Sequence, residues 1–71
     1  MDRESLMEVI RKGPVRITMN SGDTFEVPGI EFAIVDETAA YVLRRAADGK
    51  LRAAILPLVT MSVVEPIAEA A

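Results

Sequence analysis

The chain contains no cysteine, no histidine and no tryptophan. Without cysteine there is no disulfide to staple a small fold and no thiolate to hold a metal. Without histidine the commonest general base and the commonest transition-metal ligand are both missing. Aromatic residues make up only 4% of the chain, although 51% of it is hydrophobic, so its core has to be built from Val, Ile, Leu, Met and Ala. No apolar run approaches the roughly 20 residues needed to span a bilayer, and the first residues, MDRESLMEV, lack the apolar centre of a secretory signal. A soluble, cytoplasmic protein without membrane contact is expected, which the absence of cysteine suits. Positive charge is also scarce: 8 Lys and Arg stand against 11 Asp and Glu, a net charge of −3. Affinity for nucleic acid draws heavily on phosphate neutralisation, so this balance disfavours RNA or DNA as the general partner.

What is present reads as one small domain over residues 1–67, with 68–71 as a flexible alanine-rich tail. At 71 residues the chain is near the lower limit for an independent core, and a domain of about 60 residues hides only about 60% of its unfolded-state surface. Such an apolar chain is expected to cover part of itself by self-association. Asp2 to Lys12 is predicted as an amphipathic helix. Asp2 caps it, Leu6 and Ile10 form its apolar stripe with Met7 beside them, and Gly13-Pro14 ends it. A helix this short is marginal alone and has to dock on the rest of the fold.

The stretch VRITMNSGDTFEV, Val15 to Val27, is the organising β-hairpin. Val15, Ile17, Met19, Phe25 and Val27 alternate with polar residues around a turn at Gly22, which gives one apolar face for Leu6 and Ile10 to land on. Pro28-Gly29 ends its second strand. Further strands are expected over Ala33 to Val35, Ala39 to Arg45, Leu51 to Leu56 and Thr60 to Val64, with Met61 and Val63 on one face of the last. Ile30 or Phe32 is expected to point inward, Asp48-Gly49 to form a hairpin turn, and Glu65-Pro66 to end the fold. The fold class is therefore mainly β: a small, strongly bent antiparallel sheet or barrel of five to six short strands with one N-terminal α-helix.

Chemical signatures are sparse. Asp36 and Glu37 read as turn charges, and Glu26 and Glu31 flank the Pro-Gly turn without a predicted burial to shift a carboxyl pKa. Ser5, Ser21 and Ser62 have no histidine to activate them, and Lys12 and Lys50 lie at expected exposed ends. The four glycines, Gly13, Gly22, Gly29 and Gly49, are dispersed as helix stop and turns and make no phosphate cradle. No catalytic, cofactor-binding or metal-binding residue is assigned. The one candidate site is a basic hairpin, Arg44, Arg45, Lys50 and Arg52, which offers an anion or RNA patch. The competing reading is that these charges guard an edge hairpin against aggregation. Only Tyr41 lies near them, whereas single-strand binders stack bases on several rings.

The helix, the V-x-I-x-M-x-x-G strand carried by Val15, Ile17, Met19 and Gly22, and a closing strand over Thr60 to Val64 resemble the Sm-like fold, a small β-barrel related in form to SH3-like barrels. That resemblance implies a barrel and ring assembly. It does not carry over an RNA site, because Leu56-Pro57-Leu58-Val59 stands near the place of the basic, histidine-bearing element of the bacterial Sm-like RNA chaperone. The segments PVRITM, SGDTFEV, PGIEFAIV and LPLVTMSVVEP are also similar to a group of short uncharacterised bacterial proteins, which implies a stand-alone domain and no particular activity. The leading functional expectation is a non-enzymatic protein-binding or scaffold domain whose partner is itself or another protein. The alternatives are an Sm-like RNA binder using the basic hairpin and, behind it, a small enzyme.

Overall fold

The computed structural model describes residues 1–67, and the expected tail over 68–71 lies outside the described residues. Helix α1 covers Arg3–Arg11. Asp2 caps it as expected: its Oδ1 accepts the Ser5 amide at 2.7 Å and its Oδ2 accepts the Ser5 hydroxyl at 2.9 Å. Leu6 and Ile10 are its buried residues. Arg3 Nε donates to the Val35 carbonyl at 3.0 Å, which ties the first turn of the helix to the middle of the chain.

Six strands follow: β1 Val15–Met19, β2 Thr24–Val27, β3 Ala33–Val35, β4 Ala39–Arg45, β5 Leu51–Pro57 and β6 Met61–Pro66. They form two antiparallel three-stranded sheets, ordered β2-β1-β6 and β3-β4-β5. The expectation of a single bent sheet or barrel is thus met only in its strands, and no barrel closes among the described residues. The division falls where the backbone cannot carry a ladder. Pro28-Gly29 and a short 3-10 turn over Ile30–Phe32 separate β2 from β3, while Pro57 and a second such turn over Leu58–Thr60 separate β5 from β6. Proline has no N–H to give a neighbouring strand.

The first hairpin is as predicted. Val15 pairs with Val27 and Ile17 with Phe25, and the Met19 carbonyl accepts the Gly22 amide at 2.9 Å. Gly22 has φ 94° and Gly49, in the β4–β5 turn, φ 83°, a region that side chains disfavour. The inner faces of both sheets meet in one aliphatic core. Leu6, Ile10, Val15, Ile17, Val27 and Val42 are wholly buried, and Leu56 and Leu58 join them. Burying one such side chain contributes about 1.5–3 kcal/mol, so Leu6 and Ile10 hold the helix to the fold through this shared core.

As expected of one of the pair, Phe32 packs against the core, while Ile30 is exposed. Three expectations need correction. Phe25, expected on the apolar face beneath the helix, is only half-buried at the margin of the core. Met61 and Val63 do not share a face: Thr18 pairs with Val63 but Met19 with Met61, so Ser62 is an extra residue in the strand. This bulge turns Met61 and Val64 toward the core and leaves Val63 outside. Finally, the last strand does not run from Thr60 to Val64 with the fold ending at Glu65-Pro66: β6 covers Met61–Pro66, with Pro66 opposite Val15, and the Ile67 amide continues the pairing by donating to the Pro14 carbonyl at 2.9 Å.

Candidate interaction surface

Strand alternation assigns every second residue of the β3-β4-β5 sheet to its outer face. Cross-strand register then builds that face row by row. Ile34, Tyr41 and Ile55 form one row across all three strands, Leu43 and Ala53 the next, and Arg45 with Leu51 the last. Ile34 is 72% exposed, Ile55 64% and Leu51 57%, with Tyr41 and Leu43 also open to solvent. Large aliphatic side chains therefore stand side by side in water on a face whose opposite side, carrying Val35, Ala40, Val42 and Leu56, is core.

One end of this face is acidic. Asp36 Oδ1 accepts the amides of Thr38 at 2.8 Å and Ala39 at 2.7 Å, and Oδ2 accepts the Tyr41 hydroxyl at 3.1 Å. The amides of Thr38 and Ala39, chiefly, hold the Asp36 carboxyl below its ordinary value. The same contact raises the Tyr41 phenol, because its proton is shared with a carboxylate. The hydrogen bond ties the tyrosine hydroxyl to the turn between β3 and β4. At the other end Arg45 Nη1 donates to the Gly49 carbonyl at 2.6 Å.

The four basic residues singled out in the sequence lie on one hairpin but are not brought to one point. Arg44 and Arg52 are direct cross-strand partners, whereas Arg45 is opposite Leu51 and so belongs to the outer face. The Arg44 guanidinium sits 5.5 Å from the centre of the Phe25 ring, within reach of a cation–π contact. Arg52 Nη2 donates to Asp48 Oδ2 at 2.8 Å. Lys50 lies exposed in the turn, its amide donating to Asp48 Oδ1 at 3.0 Å. The Lys50 amide first, and then Arg52, keep the Asp48 carboxyl below its ordinary value. An aspartate is thus built into the basic hairpin, and each arginine has a partner inside the fold.

A depression between the end of α1 and β6 is lined by Val9, Lys12, Gly13, Pro14, Pro66 and Ile67, with Lys12 its single ionisable side chain. Among the described residues no group of three or more Asp or Glu is placed to share a metal ion, and every polar or charged side chain retains some exposure. The feature with the strongest physical character is the apolar outer face. The sequence places strands over Ala39 to Arg45 and Leu51 to Leu56, but their outer face was not read as a surface. The available signal was that β4 and β5 are apolar on both sides, Tyr41 and Leu43 against Ala40 and Val42, and Ile55 against Leu56. A strand apolar on both sides is one whose two faces are both suited to burial. Comparison with protein-family models, with curated proteins and with solved structures found no match to this chain.

Proposed function

We propose that this chain is a non-enzymatic domain of the Sm-like and SH3-like type, in its helix-first strand order, that acts through protein contacts and associates with itself. The observation that carries this reading is the row Ile34, Tyr41 and Ile55 on a sheet face open to solvent. Contiguous apolar patches of several hundred Å² on a monomer mark interaction sites more often than chance. A contact of that kind is held by apolar burial and so survives salt, unlike one between exposed charges. Light scattering across a concentration range therefore should give a mass above one chain, and the same mass in about 1 M salt. A single-chain mass at every concentration would falsify self-association.

Direct pairing of Arg44 with Arg52 favours one alternative, an Sm-like binder of RNA at the basic hairpin. Its mark is retention on RNA at low salt with a steep loss as salt rises. The ion pair of Arg52 with Asp48 and the net charge of −3 weigh against it.

A further inference from the structure

We propose that the outer face of the β3-β4-β5 sheet is covered by the same face of a second copy, the two sheets packing with their strands antiparallel. The two-fold axis lies between the sheets, perpendicular to β4, at the level of Tyr41 and Leu43. This inference rests on the self-association reading and names its surface and geometry.

Area supports the choice of occupant. At roughly 200 Å² for a large side chain, the exposed fractions of Ile34, Tyr41, Leu43, Leu51 and Ile55 leave on the order of 500 Å² of apolar side chain open per copy. Two such faces together bury about 1,000 Å², the point at which a specific interface becomes distinguishable from a chance contact. The face is also prepared for drying. Its central rows carry one side-chain polar group, the Tyr41 hydroxyl, and that group already donates to Asp36. Two sheets stacked about 10 Å apart in this way are the ordinary β-sandwich arrangement.

Charge fixes the direction. Asp36 pairs with Ala39 through its backbone amide, at one end of β4, and Arg45 lies six residues further along, about 20 Å away at the rise of a strand. With strands antiparallel, the Asp36 end of each copy lies over the Arg45 end of the other, twice by symmetry. With strands parallel, arginine meets arginine and aspartate meets aspartate, which opposes association. A self-complementary face of this kind is what an isologous dimer requires.

The test compares dissociation constants by sedimentation equilibrium, with circular dichroism as the check on folding. Ile34→Glu and Ile55→Glu are made separately, because each side chain is mostly exposed and either variant suffices if the other fails to fold. Each should weaken association on the order of 100-fold, since every dimer carries the substitution twice. Val63→Glu, a change at an exposed position on the outer side of the other sheet, should leave the constant unchanged. Arg45→Glu should weaken association about tenfold. Adding Asp36→Asn, which keeps an oxygen for the Thr38 and Ala39 amides, should recover part of that loss. If the native chain associates and both isoleucine variants match it, self-association stands and this face is the wrong one. If the native chain is a single-chain species at every concentration, both readings fall. If Arg45→Glu has no effect, or tightens binding, the antiparallel geometry is wrong.

Discussion

The two sheets contribute alike to the core and differ on their outer sides. On the β2-β1-β6 sheet, the outer row is Glu26, Arg16 and Glu65, with Arg16 paired to Glu26 at 3.1 Å and to Glu65 at 3.8 Å. The next row is Thr24, Thr18 and Val63. On the β3-β4-β5 sheet, the corresponding outer row is Ile34, Tyr41 and Ile55. The same chain thus builds one three-stranded sheet with a face suited to water, which shows that an apolar outer face is not a requirement of this architecture. An antiparallel sheet ordinarily buries one side and hydrates the other, and the first sheet does so. The second sheet has two apolar sides, only one of which the fold itself covers.

The largest expected effect tests whether the inner and outer sides are as different as this account requires. Ile17, on the central strand of the first sheet, and Val42, on the central strand of the second, are wholly buried in the shared core. Ile17→Ala should cost about 2–5 kcal/mol, from lost transfer free energy and the cavity left behind. Val42→Ala should fall toward the lower end of that range, because it removes fewer atoms. Ile55→Ala should change the stability of the isolated chain by no more than about 0.5 kcal/mol. Urea titrations at a concentration low enough to keep the chain unassociated measure all three. If Ile55→Ala costs as much as Ile17→Ala there, the outer face belongs to the monomer's own core and the contrast between the sheets disappears.

The difference between the sheets also explains what was legible in the sequence. Val15, Ile17, Met19 and Val27 alternate strictly with polar residues, so both the hairpin and its buried side follow from period two alone. Asp2, Gly13 and Pro14 mark the helix ends by local chemistry, which needs no knowledge of the rest of the fold. In AAYVL and AAIL, by contrast, apolar residues fill both parities, so periodicity cannot say which side is core. The bulge at Ser62 was equally hidden. It is set by how β6 meets β1, a long-range pairing, and a shift of one residue exchanges every later side chain between faces. Division into two sheets rather than one closed sheet depends on how far Pro28-Gly29 and Pro57 interrupt the ladders, which composition does not reveal. The basic cluster was visible, but its internal partners, Asp48, Phe25 and the Gly49 carbonyl, emerge only from the folded hairpin.

A second prediction sharpens the comparison through the turns of the β3-β4-β5 sheet. Asp36 organises the β3–β4 turn and Asp48 the β4–β5 turn, and hydrogen bonds to backbone amides lower both carboxyls. A carboxyl lowered in the folded state stabilises it fully above the unfolded value and loses that contribution as pH falls through the folded value. The ordinary value is 3.8 for both groups, so the native chain should lose stability progressively below that pH. Asp36→Asn keeps an acceptor in the turn but cannot titrate. Its deficit relative to the native chain should be greatest near neutrality and shrink in acid, as followed by urea midpoints over a pH series. A deficit that stays constant from neutrality into acid would mean that the Asp36 charge does not hold this turn.

The smallest expected effect lies on the hydrated face. Arg16 stands between two carboxylates, and its side chain is 42% exposed. Exposed ion pairs of this kind contribute about 0–1 kcal/mol, since water already solvates the charges and ordering long side chains opposes the attraction. Arg16→Met keeps much of the aliphatic stem over β1 while removing the charge, leaving Glu26 and Glu65 on either side of a neutral residue. The loss should therefore be under about 1 kcal/mol in low salt and should shrink as ionic strength rises and the Debye length falls to about 8 Å or less. The substitution should also leave the association state unchanged, in contrast to Ile34→Glu and Ile55→Glu. Differential scanning calorimetry at two salt concentrations, together with sedimentation, reads both quantities. A large, salt-insensitive loss would assign Arg16 a packing role on β1, and a change in association would place part of the interface on the first sheet.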